Sequence, residues 1–339
     1  MSDSISVIIP LHNKGAWISE TLLSLQYQDY SDWEAIVVEN NSSDDGPAIA
    51  EDFAKKDSRI IVSRAPKSIT GPGAARNYGL QHAKNPWIIF LDADDLLCQS
   101  HLLDLITVAK ANNSMLASSN WAEFSEDSWK WDKAPLTTKS LPRYSTIHAA
   151  AGSSEDSHHN LVQDSSIAFA PWAIHCCLVS QEAFSSSQPW IEKLDDYPSE
   201  DTAFWFRLVI NNTVSYTNRA TAIYRKETSN FRNDFSNLPL WTEAMKNIHH
   251  ENVVYLKRLG HRLNQAQAEC LMRVWEKLST DAYDENLLEL GKQSAQMASY
   301  WLNHCNTDIR RPNILLRKLL GIGTIVRARR HFTKWQGIH

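Results

Sequence analysis

Short apolar runs alternate with amphipathic stretches through the first hundred residues. SVIIPL (6–11), WEAIVVE (33–39), RIIVS (59–63) and WIIFLD (87–92) are apolar nearly throughout, the pattern of strands buried on both faces. Between them, Trp17, Ile18, Leu22 and Leu25, then Ile49, Ala50 and Phe53, then Ala74, Ala75, Tyr78 and Leu80 recur at helical spacing. This alternation predicts βαβ units and an α/β fold with a mostly parallel, Rossmann-like sheet covered by helices on both faces. Ligands of such sheets bind beyond the carboxyl ends of the strands. Here those ends read PLHNK, ENNSSDDG, the loop APKSITGPGAARN, and DADD.

The pattern weakens from about Asn112 to Ser166, where Trp121, Trp129, Trp131 and the polar run GSSEDSHHN predict loops and insertions. From about Leu238 it turns helical. Leu263, Ala266, Cys270, Leu271, Val274 and Leu278 share one face, and Leu287, Leu288 and Leu290 open a further helix. The expected organisation is an α/β domain over residues 1–237, in halves 1–111 and 112–237, and a helical C-terminal region over 238–339. No internal repeat is evident.

With 339 residues, 43% hydrophobic and 22% charged, the chain has ample material for a globular core. No basic segment followed by a long apolar one opens it, so no signal peptide is expected, and no apolar run is long enough to span a bilayer. Cys98, Cys176, Cys177, Cys270 and Cys305 form an odd set without CxxC spacing, which argues against a disulfide framework or structural zinc and for a reducing cytoplasm. The net charge of −5 is unevenly spread: residues 309–339 hold eight Lys or Arg and no acid, which leaves the rest 13 negative. Such a tail suits the anionic inner face of a plasma membrane, or a terminal helix docked on its own acidic body. Nucleic acid is not an expected partner, because the acidic body would repel it.

WIIFLDADD drives a buried strand into three carboxylates, Asp92, Asp94 and Asp95. Like charges so close raise the cost of ionising one another unless a cation sits among them. Oxygen ligands on a short turn suit Mg²⁺ or Mn²⁺, ions that commonly stay bound to one or two carboxylates plus substrate phosphates. The plainer reading is a strand end followed by a capped helix. Gly71 and Gly73 lead into a helix carrying Arg76, a loop where backbone can approach an anion and a guanidinium can fork onto phosphate. Gly-Pro-Gly is also an ordinary turn. On one sheet edge, however, Arg76 and a metal would grip a single diphosphate from two sides.

The succession SVIIPLHNK, VVENNSSDD, GPGAARNYGL and FLDADD resembles the N-terminal half of family 2 of the glycosyltransferases, inverting enzymes with the GT-A fold. APWAIHCCLVSQEAF, DDYPSEDTAFWFRL and IYRKETSN resemble its later segments, so the likeness covers roughly residues 4–230. It implies a GT-A nucleotide-diphospho-sugar transferase fold whose residues 1–111 bind the nucleotide sugar and whose residues 112–237 face the acceptor. By the same resemblance Pro10 and His12 border the base, Glu39 hydrogen-bonds it, Arg76 contacts base or diphosphate, Asp92 meets ribose or donor sugar, and Asp94 holds Mn²⁺ or Mg²⁺. Asp201 is then the general base and Glu200 orients the acceptor, although Ser199-Glu200-Asp201 also reads as a capped helix start.

Three positions depart from the family pattern. At the end of the second strand Glu39 stands where the family usually has Asp and Asn40 where an acidic residue follows, which loosens the expectation of UDP, and Glu227 stands where a histidine often follows the Tyr-Arg pair, leaving it either a metal ligand or a surface residue. Trp172 is a candidate platform for an acceptor sugar, or simply core. His158-His159 and His249-His250 carry no ligand pattern. The expected activity is transfer from a nucleoside diphosphate sugar, UDP-sugar favoured, to a glycan or lipid-linked acceptor in bacterial-type surface polysaccharide synthesis. The alternatives are a haloacid-dehalogenase-like phosphatase with Asp92 as nucleophile, and a non-catalytic sugar-nucleotide or glycan-binding protein.

Overall fold

The computed structural model of the chain describes residues 3–125, 129–141, 146–148, 159–185, 190–226, 237–305 and 312–326. Glu227, His158, the polar run from 152 to 158 and the tail beyond 326 lie outside them. The elements run β1 (Ile5–Leu11), α1 (Ile18–Gln26), β2 (Trp33–Glu39), α2 (Gly46–Lys56), β3 (Ile60–Arg64), α3 (Pro72–His82), β4 (Trp87–Phe90), β5 (Leu96–Leu97), α4 (His101–Ala111) and β6 (Leu116–Ser125). They continue with β7 (Thr146–His148), α5 (His159–Ser165), β8 (Cys177–Ser180), α6 (Asp201–Val209), β9 (Val214–Lys226), α7 (Leu238–Arg258), α8 (Gln265–Asp284), α9 (Leu288–Leu302) and α10 (Pro312–Leu320). They fall into two compact units, one of residues 1–162, 170–196 and 207–230, the other of 163–169, 197–206 and 231–339.

The first unit holds a mixed sheet ordered β3-β2-β1-β4-β8-β6-β9-β5, with β7 on β6. The four apolar runs pair in parallel as β3-β2-β1-β4, in a register that sets Leu11 beside Glu39 and Glu39 beside Arg64. The strand ends PLHNK, ENN and DADD therefore reach one edge. Ile5, Val7, Ile9, Leu22, Leu25, Val37 and Ile89 share a core on one side of these strands. On the other side α3 lies so close that a Cβ on Gly79 would come within 2.5 Å of Ile8.

Residues 112–166 contain more regular structure than their pattern predicts. β6 is a long strand between β8 and β9, antiparallel to the first and parallel to the second, with a register shift around Asn120. Its LASSN opening has the composition of a loop, yet Ser118 and Ser119 are fully buried. Trp131 is likewise core rather than insertion, packed with Leu96, Phe124, Leu136 and Ile223 and donating its indole N–H to the Ala134 carbonyl at 2.8 Å.

The second unit carries α7 to α10. Asn264 caps α8 in a full capping box, its side chain accepting from Gln267 N at 2.8 Å while the Gln267 amide oxygen takes the Asn264 N–H. The buried face of α8 runs through Ala268, Leu271, Met272, Trp275, Leu278 and Ala282, one position round from the predicted stripe, and Leu287 and Leu288 are exposed. Arg317 of α10 grips Glu276 of α8 through Nε and Nη2 at 2.9 and 2.8 Å. Lys318 donates to the Cys305 carbonyl. These two are the described basic residues of the tail, and both bind within the helical unit. No described helix is long and apolar enough to cross a membrane.

Candidate active site

Asparagines knit the first two strand ends together. Asn40 follows β2, is buried, takes its backbone N–H to the Leu11 carbonyl at 2.9 Å and sends its side-chain amide to the Gly71 carbonyl at 3.1 Å. Its own carbonyl accepts from His12 Nδ1 at 2.7 Å, which leaves His12 Nε2 to accept from Asn13 at 3.2 Å. Asn13 and Asn41 take left-handed backbone conformations, φ 52° and 58°, which asparagine tolerates better than most residues. Asn41 reaches the Ile69 carbonyl and Asn13 accepts from Ser43 N. Pro10 is half-buried beside Val38, and the Glu39 carboxylate turns into its own loop, accepting from Ser42 N at 2.7 Å. Pro10, His12 and Glu39 thus lie at adjoining strand ends.

The carboxylates after β4 have three different environments. Asp92 accepts from the Arg76 guanidinium at 2.6 Å and keeps 31% of its side chain exposed, whereas Arg76 is 3% exposed. Burial pushes the Asp92 carboxyl up, but Arg76, with His175 and Lys14, holds it below its ordinary value. Asp94 meets Lys14 at 2.7 Å; burial and the neighbouring Asp95, opposed by Lys14, push it up to about 7. Asp95 caps no helix. Its Oδ1 accepts from Arg225 N at 2.8 Å and its Oδ2 lies 3.0 Å from His175 Nδ1. His175 is fully buried, which favours its neutral form, yet Asp95 holds its pKa above the ordinary value. Arg225 also donates from Nε to the Asp94 carbonyl at 2.7 Å and from Nη2 to Glu20 of α1 at 2.7 Å, pinning the turn to β9 and α1.

A hard divalent cation fits this arrangement in one way. Among the described residues no three His, Cys, Asp or Glu side chains converge as an all-protein metal site. Asp94 offers one carboxylate, set between Asp92 and Asp95 in sequence and paired with Lys14 at 2.7 Å. One carboxylate plus substrate phosphates is an ordinary coordination set for Mg²⁺ or Mn²⁺.

The Gly-Pro-Gly loop is used differently from the sequence expectation. Gly71 caps α3 at φ 88°, and the first free N–H groups of the helix, Gly73 and Ala74, donate to the two oxygens of Asp195 at 3.0 and 2.9 Å. A Cβ on Gly71 or Gly73 would approach Asp195 within 2.4 or 2.3 Å. The anion seat at this helix N-terminus therefore holds the chain's own carboxylate, not an open phosphate cradle. Trp172 is corrected too: at 2% exposure, edge-on to Tyr216, it is core and presents no ring face to an acceptor. Glu227 lies outside the described residues.

Glu200 and Asp201 belong to the second unit, half-buried at the start of α6. Ser199, at φ 61°, sets the turn, its hydroxyl 2.9 Å from that of Thr202. Behind it Ala203, Phe204, Trp205 and Phe206 are buried, so the stretch is the start of a packed helix.

The family model described as "Glycosyl transferase family 2" matches residues 6–160. Those residues belong to glycosyl transferase family 2. Among curated relatives, the GalNAc(5)-diNAcBac-PP-undecaprenol beta-1,3-glucosyltransferase of Campylobacter jejuni is 35% identical over 105 residues, 31% of this chain and 34% of that protein. The poly(ribitol-phosphate) beta-glucosyltransferase of Bacillus spizizenii is 36% identical over 112 residues, 32% of this chain and 18% of that protein. The chain covers under half the length of these relatives. Among solved structures, S. aureus TarS 1–349 in complex with UDP-GlcNAc aligns over 89% of this chain and 82% of its own at 19% identity, with a TM-score of 0.62. That likeness is one of fold, and the fold is GT-A. The membership removes the phosphatase reading of FLDADD.

Sequence reasoning passed over Lys14, Asp195 and Arg225 as working parts of this edge. Lys14 and Arg225 stood inside the quoted PLHNK and YRKETSN, where a lysine or arginine near clustered carboxylates was the available signal. Asp195 had none, because its partners lie more than a hundred residues away.

Proposed function

We propose that the chain is an inverting, metal-dependent glycosyltransferase that moves a sugar from a nucleoside diphosphate sugar, UDP-sugar favoured, to a hydroxyl of a glycan or lipid-linked acceptor in surface polysaccharide synthesis. The observation that carries this reading is the sheet edge itself, where Arg76-Asp92 and Lys14-Asp94 stand beside His12 and Glu39 within a family 2 domain. Names of relatives support the substrate classes: TarS binds UDP-GlcNAc, and the C. jejuni enzyme is named for a polyprenol-linked glycan.

In this reading Pro10, His12 and Glu39 border the base, and Arg76 with Asp92 orients the ribose and the donor's charged end. Asp94 would hold Mn²⁺ or Mg²⁺, which supplies charge neutralisation for the departing diphosphate. Asp201 takes the proton from the acceptor hydroxyl as its oxygen bonds to the anomeric carbon and the bond to the diphosphate oxygen breaks. Glu200 orients that hydroxyl. Attack opposite the leaving group inverts the anomeric centre. Membrane association of the basic tail is supported by its composition, although Arg317 and Lys318 are engaged internally.

A panel of UDP-, GDP-, CDP- and dTDP-sugars, screened by thermal shift with Mn²⁺ and then by product release, tests the reading. A true donor at 100 times its dissociation constant adds about 2.7 kcal/mol of stability. Asp201→Asn is expected to cut transfer by roughly 10²- to 10⁴-fold with donor binding retained. Wild-type activity indifferent to EDTA and to Asp94→Asn would remove the metal from the scheme.

A further inference from the structure

We infer that residues 190–195 form a strap that positions Arg76 for donor recognition, with Trp190 and Asp195 as its two working side chains. The inference rests on the proposed donor role of Arg76 and names what holds that residue in place.

Hydrogen bonds from Asp195 and Asn77 and a cation–π contact tie the strap to α3, all within the first unit. Asp195, itself 4% exposed, takes the N–H groups of Gly73 and Ala74 on its two oxygens. Asn77 accepts from Trp190 N at 2.9 Å and donates its side-chain amide to the Trp190 carbonyl at 3.0 Å and to Glu192 at 2.9 Å. The Arg76 guanidinium lies over the Trp190 ring, 4.4 Å from its centroid, and the same ring meets Phe90 of β4 edge-on at 5.5 Å. Arg76 is thereby held on its face by Trp190 and on its edge by Asp92.

These contacts have a physical purpose beyond packing. An arginine side chain has many rotamers, and a donor that had to order it would lose affinity to that cost. A guanidinium stacked on an aromatic face and hydrogen-bonded to a carboxylate is already ordered. Gly71 and Gly73 follow from the same device, since side chains there would collide with Asp195. The strap also ends five residues before Glu200 in sequence, so the segment that orders the donor-side arginine leads directly into the proposed acceptor-side pair.

The test compares Trp190→Leu, which keeps apolar bulk and loses the ring face, with Trp190→Phe, which restores a face. Nucleoside diphosphate binding is measured by calorimetry, and KM and kcat on the donor identified by the panel. The expected result is a roughly fivefold to tenfold rise in Kd and donor KM for Trp190→Leu, the range a desolvated cation–π contact supports, with kcat at saturating donor within about twofold and most of the loss recovered by Trp190→Phe. Asp195→Asn, which sets an amide NH₂ against a backbone N–H, is expected to raise donor KM in the same sense. Unchanged donor Kd in Trp190→Leu, or equal losses in the Leu and Phe variants that follow their melting temperatures, would overturn the strap while leaving the proposed function standing. A wild type that binds no nucleotide of the panel overturns both.

Discussion

Gly73 and Asp195 show how one methyl group can decide a local structure. A Cβ on Gly73 would lie 2.3 Å from Asp195 Oδ1, closer than non-bonded atoms can approach, so Gly73→Ala must displace either the carboxylate or the helix. Overpacking of this kind costs about 1–3 kcal/mol, to be read as a lowered urea midpoint. In an Asp195→Ala background the same substitution is expected to cost much less, and the double-mutant cycle measures that coupling directly. Among the DADD residues, Asp95 is the structural one: it joins Arg225 N and His175 beneath the turn. Asp95→Ala is expected to destabilise the first unit by roughly 3–5 kcal/mol, because it removes one member of a buried pair and leaves His175 and the Arg225 N–H without their carboxylate partner. Thermal unfolding followed by tryptophan fluorescence checks this.

At the scale of elements, apolar patterning explains the strands better than the helices. β1, β2 and β4 are buried on both faces and show it in nearly continuous apolar runs, while β3, at the sheet edge, is apolar in sequence yet leaves Ile61 exposed; all four positions agree with expectation to within a residue or two. β6 escaped notice because its early side chains are serines, small enough to be buried between neighbouring strands without the bulk that marks a strand in sequence. In the helical unit, α8 is legible as a helix, yet its buried face lies one position round from the apolar stripe, with Met272 and Trp275 buried and Cys270 and Val274 only half-buried. Its start is set by Asn264, so Asn264→Ala is expected to lower stability by about 1 kcal/mol in a denaturant titration, the usual cost of a lost N-cap.

For the molecule as a whole, two buried histidines predict how stability follows pH. His101, in the first unit, donates from Nε2 to the His175 carbonyl and accepts from Thr221 on Nδ1; burial lowers its pKa to about 3. His249, in the second, donates to the Ala168 carbonyl and accepts the Trp275 indole N–H; burial lowers its pKa to about 4. In the unfolded chain both imidazoles take up a proton near pH 6.5. Their contribution is therefore fully present above that pH and is lost as the pH falls toward 4 for His249 and 3 for His101. By pH 5 each accounts for about 2 kcal/mol of lost stability, while Asp94, raised to about 7, takes up its proton more readily in the folded chain and offsets part of that loss, so urea midpoints are expected to fall between pH 7 and 5 by less than the two histidines alone would give. His249→Gln should flatten part of that slope; a slope unchanged in this variant would show that other groups carry it.

Near-neighbour patterning alone carries the buried strands through their apolar runs, the alternation that makes β3-β2-β1-β4 parallel, the polar strand ends, and the ordered motifs of a family 2 domain. Residues as far apart as His12, Arg76 and Asp92 could be placed on one edge because a parallel sheet delivers every strand end to the same side. Only the tertiary structure decided which partner each group takes. Asp195 fills the anion seat of α3, Trp190 stacks on Arg76, and Arg225 ties Asp94 and Asp95 to α1, contacts that span between 114 and 205 residues of chain. Patterning carries no record of such pairs, because hydrogen bonds and ion pairs are chosen by distance in space and by what burial makes costly to leave unmatched.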